Sequence, residues 1–273
     1  MSDKEGFHVE NKEAKKFSDL TVFTTTFYGL DQTSQVRQKL AEKFIRNCSD
    51  LGINCVVVDG GSNQEFLDRV RLLKNVTLLV EPSFNMGESR RAALRLAMDT
   101  YKTLHYLWAE PEKGDLITEN SLLAIIKELR DNKADIIVPQ RAGFETLPDL
   151  QAWIEQRANK RATKIMDQSL NENLDLWFGP KMFNQTGASY FVNYKGKLDK
   201  WDSIIKPVID AYKGGLRISS AEVDYKYDIS QKKDEESNET IKRKRLEQYA
   251  TILKELKDPY WFKDKPLEND STK

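Results

Sequence analysis

In the first half of the chain, apolar residues fall into short unbroken runs, and between the runs they recur at helical spacing. Residues 20–29, LTVFTTTFYG, combine β-branched residues with a glycine stop and predict a strand. Residues 53–59, INCVVVD, and 75–81, NVTLLVE, are continuous apolar runs of the kind found in strands covered on both faces. HYLWAE (105–110) predicts a fourth strand and ADIIVP (134–139) a fifth. Val36, Leu40, Phe44 and Cys48 repeat at helical spacing across residues 34–50, with Gly52 just beyond. Residues 88–102 are rich in helix formers, and another helix is expected from about Asn120 to Asp131. This alternation predicts an α/β, Rossmann-type, mostly parallel sheet with helices on both faces.

Beyond Pro139 the pattern loosens. Residues 148–170 read as a polar helix carrying Trp153, Ile154, Arg157 and Ile165, and LWFGPKMFN interrupts after it. Residues 201–215 have a helix pattern with Pro207 inside and a Gly214-Gly215 stop, and 216–227 read as a strand. The chain then predicts a C-terminal helical extension, one long charged helix from about Ser237 to Lys257. Its stripe of Ile241, Tyr249, Ile252, Leu253 and Leu256 should pack back on the domain. Residues 4–16 and those after Phe262 are expected to fray.

Composition narrows the function classes. The 43 basic and 43 acidic residues cancel, so nothing argues for nucleic acid as a partner. No run approaches the roughly 20 apolar residues of a transmembrane segment. The amino terminus is too charged for a signal peptide. Cys48 and Cys55 are too few for a disulfide framework and read as buried thiols in a reducing, cytoplasmic setting.

Ligands of open α/β sheets bind at the carboxyl ends of the strands. Those ends carry Thr24, Thr26 and Tyr28 after the first strand and Asp59-Gly60-Gly61-Ser62 after the second. The third is followed by Asn85, Gly87, Arg90 and Arg91, and the fourth by Glu110-Pro111-Glu112. Gln140 and Arg141 follow the fifth and could touch a substrate or cap a loop. A lone strand-end aspartate suits a base N–H or a ribose diol, and equally a plain turn. Arginines near a helix start suit phosphate. Two carboxylates one residue apart can hold one divalent cation through oxygen. Pro111 denies the ladder a donor, stops pairing and frees the acids. Together these residues describe a site for a nucleoside diphosphate with its metal.

VFTTTFYG, VVVDGGSNQ, EPSFNMGESRRAAL and YLWAEPEKGDLITENSL resemble, in order and spacing, family 2-type glycosyltransferases of the GT-A fold, in the nucleotide-diphospho-sugar transferase superfamily. DLWFGPKMF (175–183) is similar to a segment of polyprenyl-phosphate glycosyltransferases, and the resemblance spans about residues 20–227. It implies a hexosyltransferase-like enzyme with a UDP- or GDP-type sugar donor and a small-molecule or polyprenyl-phosphate acceptor. Thr24, Thr26, Tyr28, Asp59, Gly61, Arg90 and Arg91 would bind the nucleotide. Glu110 and Glu112 would act through Mg²⁺ or Mn²⁺. Asp175 and Lys181 would be catalytic, by the acceptor or the phosphates, and Gln140 and Arg141 would meet substrate. A GT-A-like domain over 19–230 is expected, with a nucleotide-binding half (19–140) and an acceptor half (141–230), between a flexible segment (1–18) and a helical tail (231–273).

The chain departs from the pattern in places. Glu-Pro-Glu stands for Asp-x-Asp, Gly60 for an acid, Ala92 for an arginine, and Phe178, Pro180 and Lys181 for Ser, Phe and Arg. Two rivals remain. One is a non-catalytic nucleotide-sugar-binding protein. The other is a sugar-nucleotide pyrophosphorylase, whose Gly-rich first loop TTTFYGLDQ lacks.

Overall fold

The structure is a computed structural model that describes residues 16–81, 85–166, 174–196 and 198–255. The first strands, β1 (Leu20–Thr26), β2 (Asn54–Asp59), β3 (Val76–Val80) and β4 (His105–Trp108), lie where the apolar runs predict them. They are followed by β5 (Ile136–Arg141), β6 (Lys181–Asn184) and β7 (Ile218–Val223). Among the described residues all seven join one sheet, ordered β3-β2-β1-β4-β6-β5-β7. Its pairings are parallel except at β6, which runs antiparallel to both β4 and β5. The fold is thus α/β with a mostly parallel sheet.

Helices cover both faces. On one side α1 (Gln32–Asp50), α2 (Gln64–Arg71) and α4 (Glu119–Asp131) bury Phe44, Ile45, Phe66 and Ile125 against Val22, Val57 and Leu107. On the other, α3 (Met86–Thr100), α6 (Gln185–Val192) and α7 (Asp202–Lys213) bury Leu94, Phe191 and Ile205 around Phe23, Trp108 and Phe183. Each such side chain contributes about 1.5–3 kcal/mol on burial. Helix starts are set by side-chain caps. Asn85 accepts from the Gly87 amide at 3.0 Å, and Asn184 from that of Gly187 at 2.9 Å. Cys48 and Cys55 are buried and free.

The differences from the sequence-based expectation have local causes. LWFGPKMFN is no mere interruption: its last four residues are the central strand β6, too short to show a period. The single tail helix is two, α8 (Ile229–Ser237) and α9 (Glu239–Glu255). Asn238 separates them, its side chain accepting from the Thr240 amide at 3.1 Å and so starting the second helix. Tyr249 and Leu253 of α9 do pack back, against Ile154 and Ala158 of α5 (Asp149–Met166). Leu256, the tail beyond it and residues 1–15 lie outside the described residues.

Candidate functional site

A cleft of about 810 Å³ opens where the carboxyl ends of β1 and β4 meet the segment after β7. Phe27, Tyr28 and the start of α1 form one side, and Glu110, Glu112 and Lys113 the floor beside them. Trp177, Trp201, Tyr225 and Tyr227 add aromatic surface, and Lys244, Arg245 and Gln248 of α9 close the far wall.

The acids are placed by the way β4 ends. Pairing stops at Trp108, and the Lys113 amide donates to the Glu110 carbonyl at 3.0 Å, so the chain turns over Pro111. The Glu110 carboxylate takes an ion pair from Lys113 Nζ at 3.1 Å. Burial works against its charged form, but Lys113 and Arg90 hold the carboxyl below the usual carboxylate range. It fits a notch over Gly179. A Cβ added there would collide with both carboxylate oxygens, and the φ of +102° already favours glycine. Glu112 is turned to a different partner: the Tyr28 hydroxyl donates to its Oε1 at 3.2 Å. Burial, reinforced by Glu112, pushes that hydroxyl well above its ordinary value, so Tyr28 keeps its proton.

The second strand end is built the other way. Asp59 is 0% exposed and is absent from the cleft lining. Its Oδ1 accepts from the amides of Gly61 and Ser62 at 2.8 and 2.6 Å. Its Oδ2 accepts from the hydroxyls of Thr26 and Ser62, each at 2.6 Å. Gly61 sits at φ +107° to let the loop turn back on the carboxylate. Thr24 also points inward, donating to the Ala109 carbonyl at 2.8 Å.

The two arginines brace rather than project. Arg90 lies between the rings of Trp108 and Trp201, 5.1 and 4.8 Å from their centroids, and donates to the Lys200 carbonyl at 2.6 Å. Burial pulls its guanidinium down to about 10. Arg91 grips Asp199 through both terminal nitrogens and Glu88 at 2.7 Å. Both fasten α3 to the 199–203 segment.

Behind the cleft lies a second polar layer. Arg141 donates to Asp175 from Nε and Nη2, both at 2.8 Å, and to Glu155 at 2.5 Å. Asn159 adds a bond to Asp175 at 2.7 Å. Glu155 is the member that reaches the cleft wall, and Gln140 next to Arg141 is half-buried. Lys181 is 0% exposed and donates to the carbonyls of Leu176, Gly179 and Pro180 at 3.0, 3.0 and 3.1 Å. It therefore ties down the loop that carries Gly179. Burial pulls its amine down to about 7, despite Glu110 and Asp175 nearby.

Of the residues singled out from sequence, the structure brings Tyr28, Glu110 and Glu112 together on the cleft. Thr26, Asp59 and Gly61 are held in the neighbouring turn, Thr24 on the Ala109 carbonyl, Arg90 and Arg91 in the brace, and Asp175, Arg141 and Lys181 in the layer behind. Sequence reasoning missed Phe27, Lys113, Trp201 and the α9 wall. Only Lys113 left a local signal, three residues after Glu110.

No protein-family model matches the chain, and no curated protein matches it in sequence. Solved structures do match. Glucosyl-3-phosphoglycerate synthase from Mycobacterium tuberculosis, in complex with Mn²⁺, UDP-glucose and phosphoglyceric acid, superposes with a TM-score of 0.58 at 12% identity, over 90% of this chain and 82% of that one. The same enzyme with Mg²⁺ and UDP gives the same values. Its complex with Mn²⁺, UDP and glucosyl-3-phosphoglycerate reaches 0.55 at 12% identity, over 95% and 88% of the two chains. At such identity the likeness establishes the fold alone: this chain has the GT-A-like fold of that synthase.

Among the described residues no three His, Cys, Asp or Glu side chains converge as a ready-made metal cage. Glu110 and Glu112 offer two carboxylates beside the cleft. That number fits Mg²⁺ or Mn²⁺ when phosphate and water fill the rest of the shell.

Proposed function

We propose that this chain is a glycosyltransferase that moves a sugar, hexose-like, from a nucleoside-diphosphate donor to an acceptor hydroxyl. One observation carries it: Glu110 and Glu112 stand with Tyr28 on an open cleft at the carboxyl edge of a GT-A-like sheet. The synthase that shares the fold is described with UDP-glucose, Mn²⁺ or Mg²⁺ and phosphoglyceric acid. By analogy the donor is of UDP or GDP type, and the acceptor a small molecule or a polyprenyl phosphate.

Residues 19–140 supply the donor half and 141–230 the acceptor half, and the tail, 231–273, is helical over its described part, to residue 255. Glu110 and Glu112 hold the divalent ion together with the diphosphate; when bound, that ion neutralises charge on the departing group. Tyr28 orients Glu112 by its hydrogen bond. With Asp59 engaged in its own turn, Phe27, 71% exposed at the rim and lying against Gly60, is the flat surface left for a base. Asp59, Thr26 and Gly61 serve the nucleotide by shaping that loop, Thr24 by tying β1 to the exit of β4, and Arg90 and Arg91 by fixing the wall opposite. Asp175, Arg141 and Lys181 brace the acceptor side, and half-buried Gln140 adjoins them. A cytoplasmic setting, suggested by two free buried thiols, is part of the proposal. No described helix is long and apolar enough to cross a membrane.

The deciding experiment is a melting screen with nucleoside diphosphates and their sugars, with and without Mn²⁺, followed by a turnover assay. A ligand at a hundred times its Kd adds about 2.7 kcal/mol, which a melting curve resolves. No shift with any nucleotide under any metal condition refutes the donor site. A second reading, a nucleotide-sugar-binding protein without transfer, is favoured by the engagement of Asp59, Arg90 and Arg91 within the protein. Release of nucleoside diphosphate only when acceptor is present decides against it.

A further inference from the structure

The exit of β4 carries a cation of its own. The turn from Glu110 to Lys113 brings the lysine back over the acid, and its ammonium lies 3.1 Å from Glu110 Oε2. It is held there rather than solvated. Its side chain is 17% exposed, and the ammonium stands 5.3 Å from the centroid of Phe178. Phe178 is itself fixed between Arg141 and Tyr225, at 4.7 and 4.9 Å. Glu110 cannot retreat from the pair, because its carboxylate is seated in the notch over Gly179. Glu112 takes no part in the pair and is bonded to Tyr28 instead. An ion bound by Glu110 would compete with this ammonium for the carboxylate. Once displaced, Lys113 carries three donors on a flexible stem at the cleft wall, and a phosphate oxygen is the fitting acceptor there.

We propose that Lys113 is the resident counter-ion of this site: it neutralises Glu110 in the free protein and turns to the diphosphate of a bound donor. The inference rests on the donor reading above. Divalent metal alone then binds weakly, because it must compete with a tethered ammonium. Part of the diphosphate affinity, in turn, needs no metal.

The test uses the full chain, calorimetry and two probes: Mn²⁺ alone, and inorganic pyrophosphate in EDTA. Lys113→Gln should bind Mn²⁺ roughly tenfold more tightly and pyrophosphate roughly tenfold more weakly, the size expected for one charge near the protein surface. Lys113→Arg keeps the charge and should stay within about threefold of wild type for both probes. Should either affinity of Lys113→Gln remain within about twofold of wild type while Lys113→Arg behaves likewise, the counter-ion role is overturned. Failure of the donor reading looks different. UDP and GDP then bind under no condition, while the Mn²⁺ titrations still show whether Lys113 holds the cation position.

Discussion

β2 and β4 flank the same strand, β1, and each leads into an acid at the carboxyl edge of the sheet. Asp59 and Glu110 look equivalent in sequence and are opposites in structure. Asp59 spends both oxygens on four protein donors, three within its own turn and the fourth the Thr26 hydroxyl of β1. Glu110 has one tethered partner and lines the cleft. The residues next in the chain make the difference. After Asp59 come two glycines and a serine, and the amides of Gly61 and Ser62 and the serine hydroxyl fold onto the carboxylate. After Glu110 comes a proline, which has no amide hydrogen to offer. A strand-end acid is therefore available to a ligand to the extent that its own loop fails to satisfy it.

The largest expected effect tests the saturated member. Asp59→Ala should cost about 4 kcal/mol of stability, because several hydrogen bonds to a buried charge are lost at once. Chemical denaturation measures it. A variant that unfolds with wild type but no longer binds nucleotide would break the comparison. Next, Gly179→Ala should cost about 2 kcal/mol through its positive φ and push the Glu110 carboxylate from its notch. A lower melting temperature with weaker Mn²⁺-dependent nucleotide binding is the expected pair of readings. Third, Glu110→Gln and Glu112→Gln should each lower the metal-dependent part of nucleotide affinity about tenfold, near 1.4 kcal/mol, and hardly alter folding. Calorimetry with Mn²⁺ and with EDTA separates the two parts.

The smallest effect concerns Lys181, which feels the charge of Glu110. Its amine sits at about 7 in the folded chain, below its ordinary value. Between that pH and the unfolded lysine's range near 10.4, the unfolded chain binds the extra proton. Stability therefore rises with pH across this window, by at most about 1.4 kcal/mol per unit. Wild type should gain on Lys181→Met between pH 7 and 8 by about 1 kcal/mol; a constant difference would show a lysine that stays charged when folded.

Strands β1 to β5 were legible as short runs rich in apolar and β-branched residues, and the alternation with helices made the sheet type legible too. β6 was not, since Lys181-Met182-Phe183-Asn184 is too short for a period and opens on a buried lysine whose partners are carbonyls. Glu110 and Glu112 were readable from the proline between them. The fate of Arg90 and Arg91 was not, because Asp199 and Lys200, more than a hundred residues away, claim them. The break between α8 and α9 was present as Asn238, a helix starter inside a charged run, but charge alone reads as one continuous solvated helix.

The place of β6 has a consequence for how the chain is made. β3, β2, β1 and β4 are neighbours in space and complete once residue 108 has left the ribosome. β5 is made next, yet its sheet partners are β6 and β7, which are still to come. During synthesis β4 therefore presents an open edge until residues 181–184 arrive, more than seventy positions later. Such an edge invites pairing with other chains. Closing it waits on a long-range contact, the slow kind in folding. Shortened chains that stop before β6 should thus be the forms most prone to aggregate in the cell.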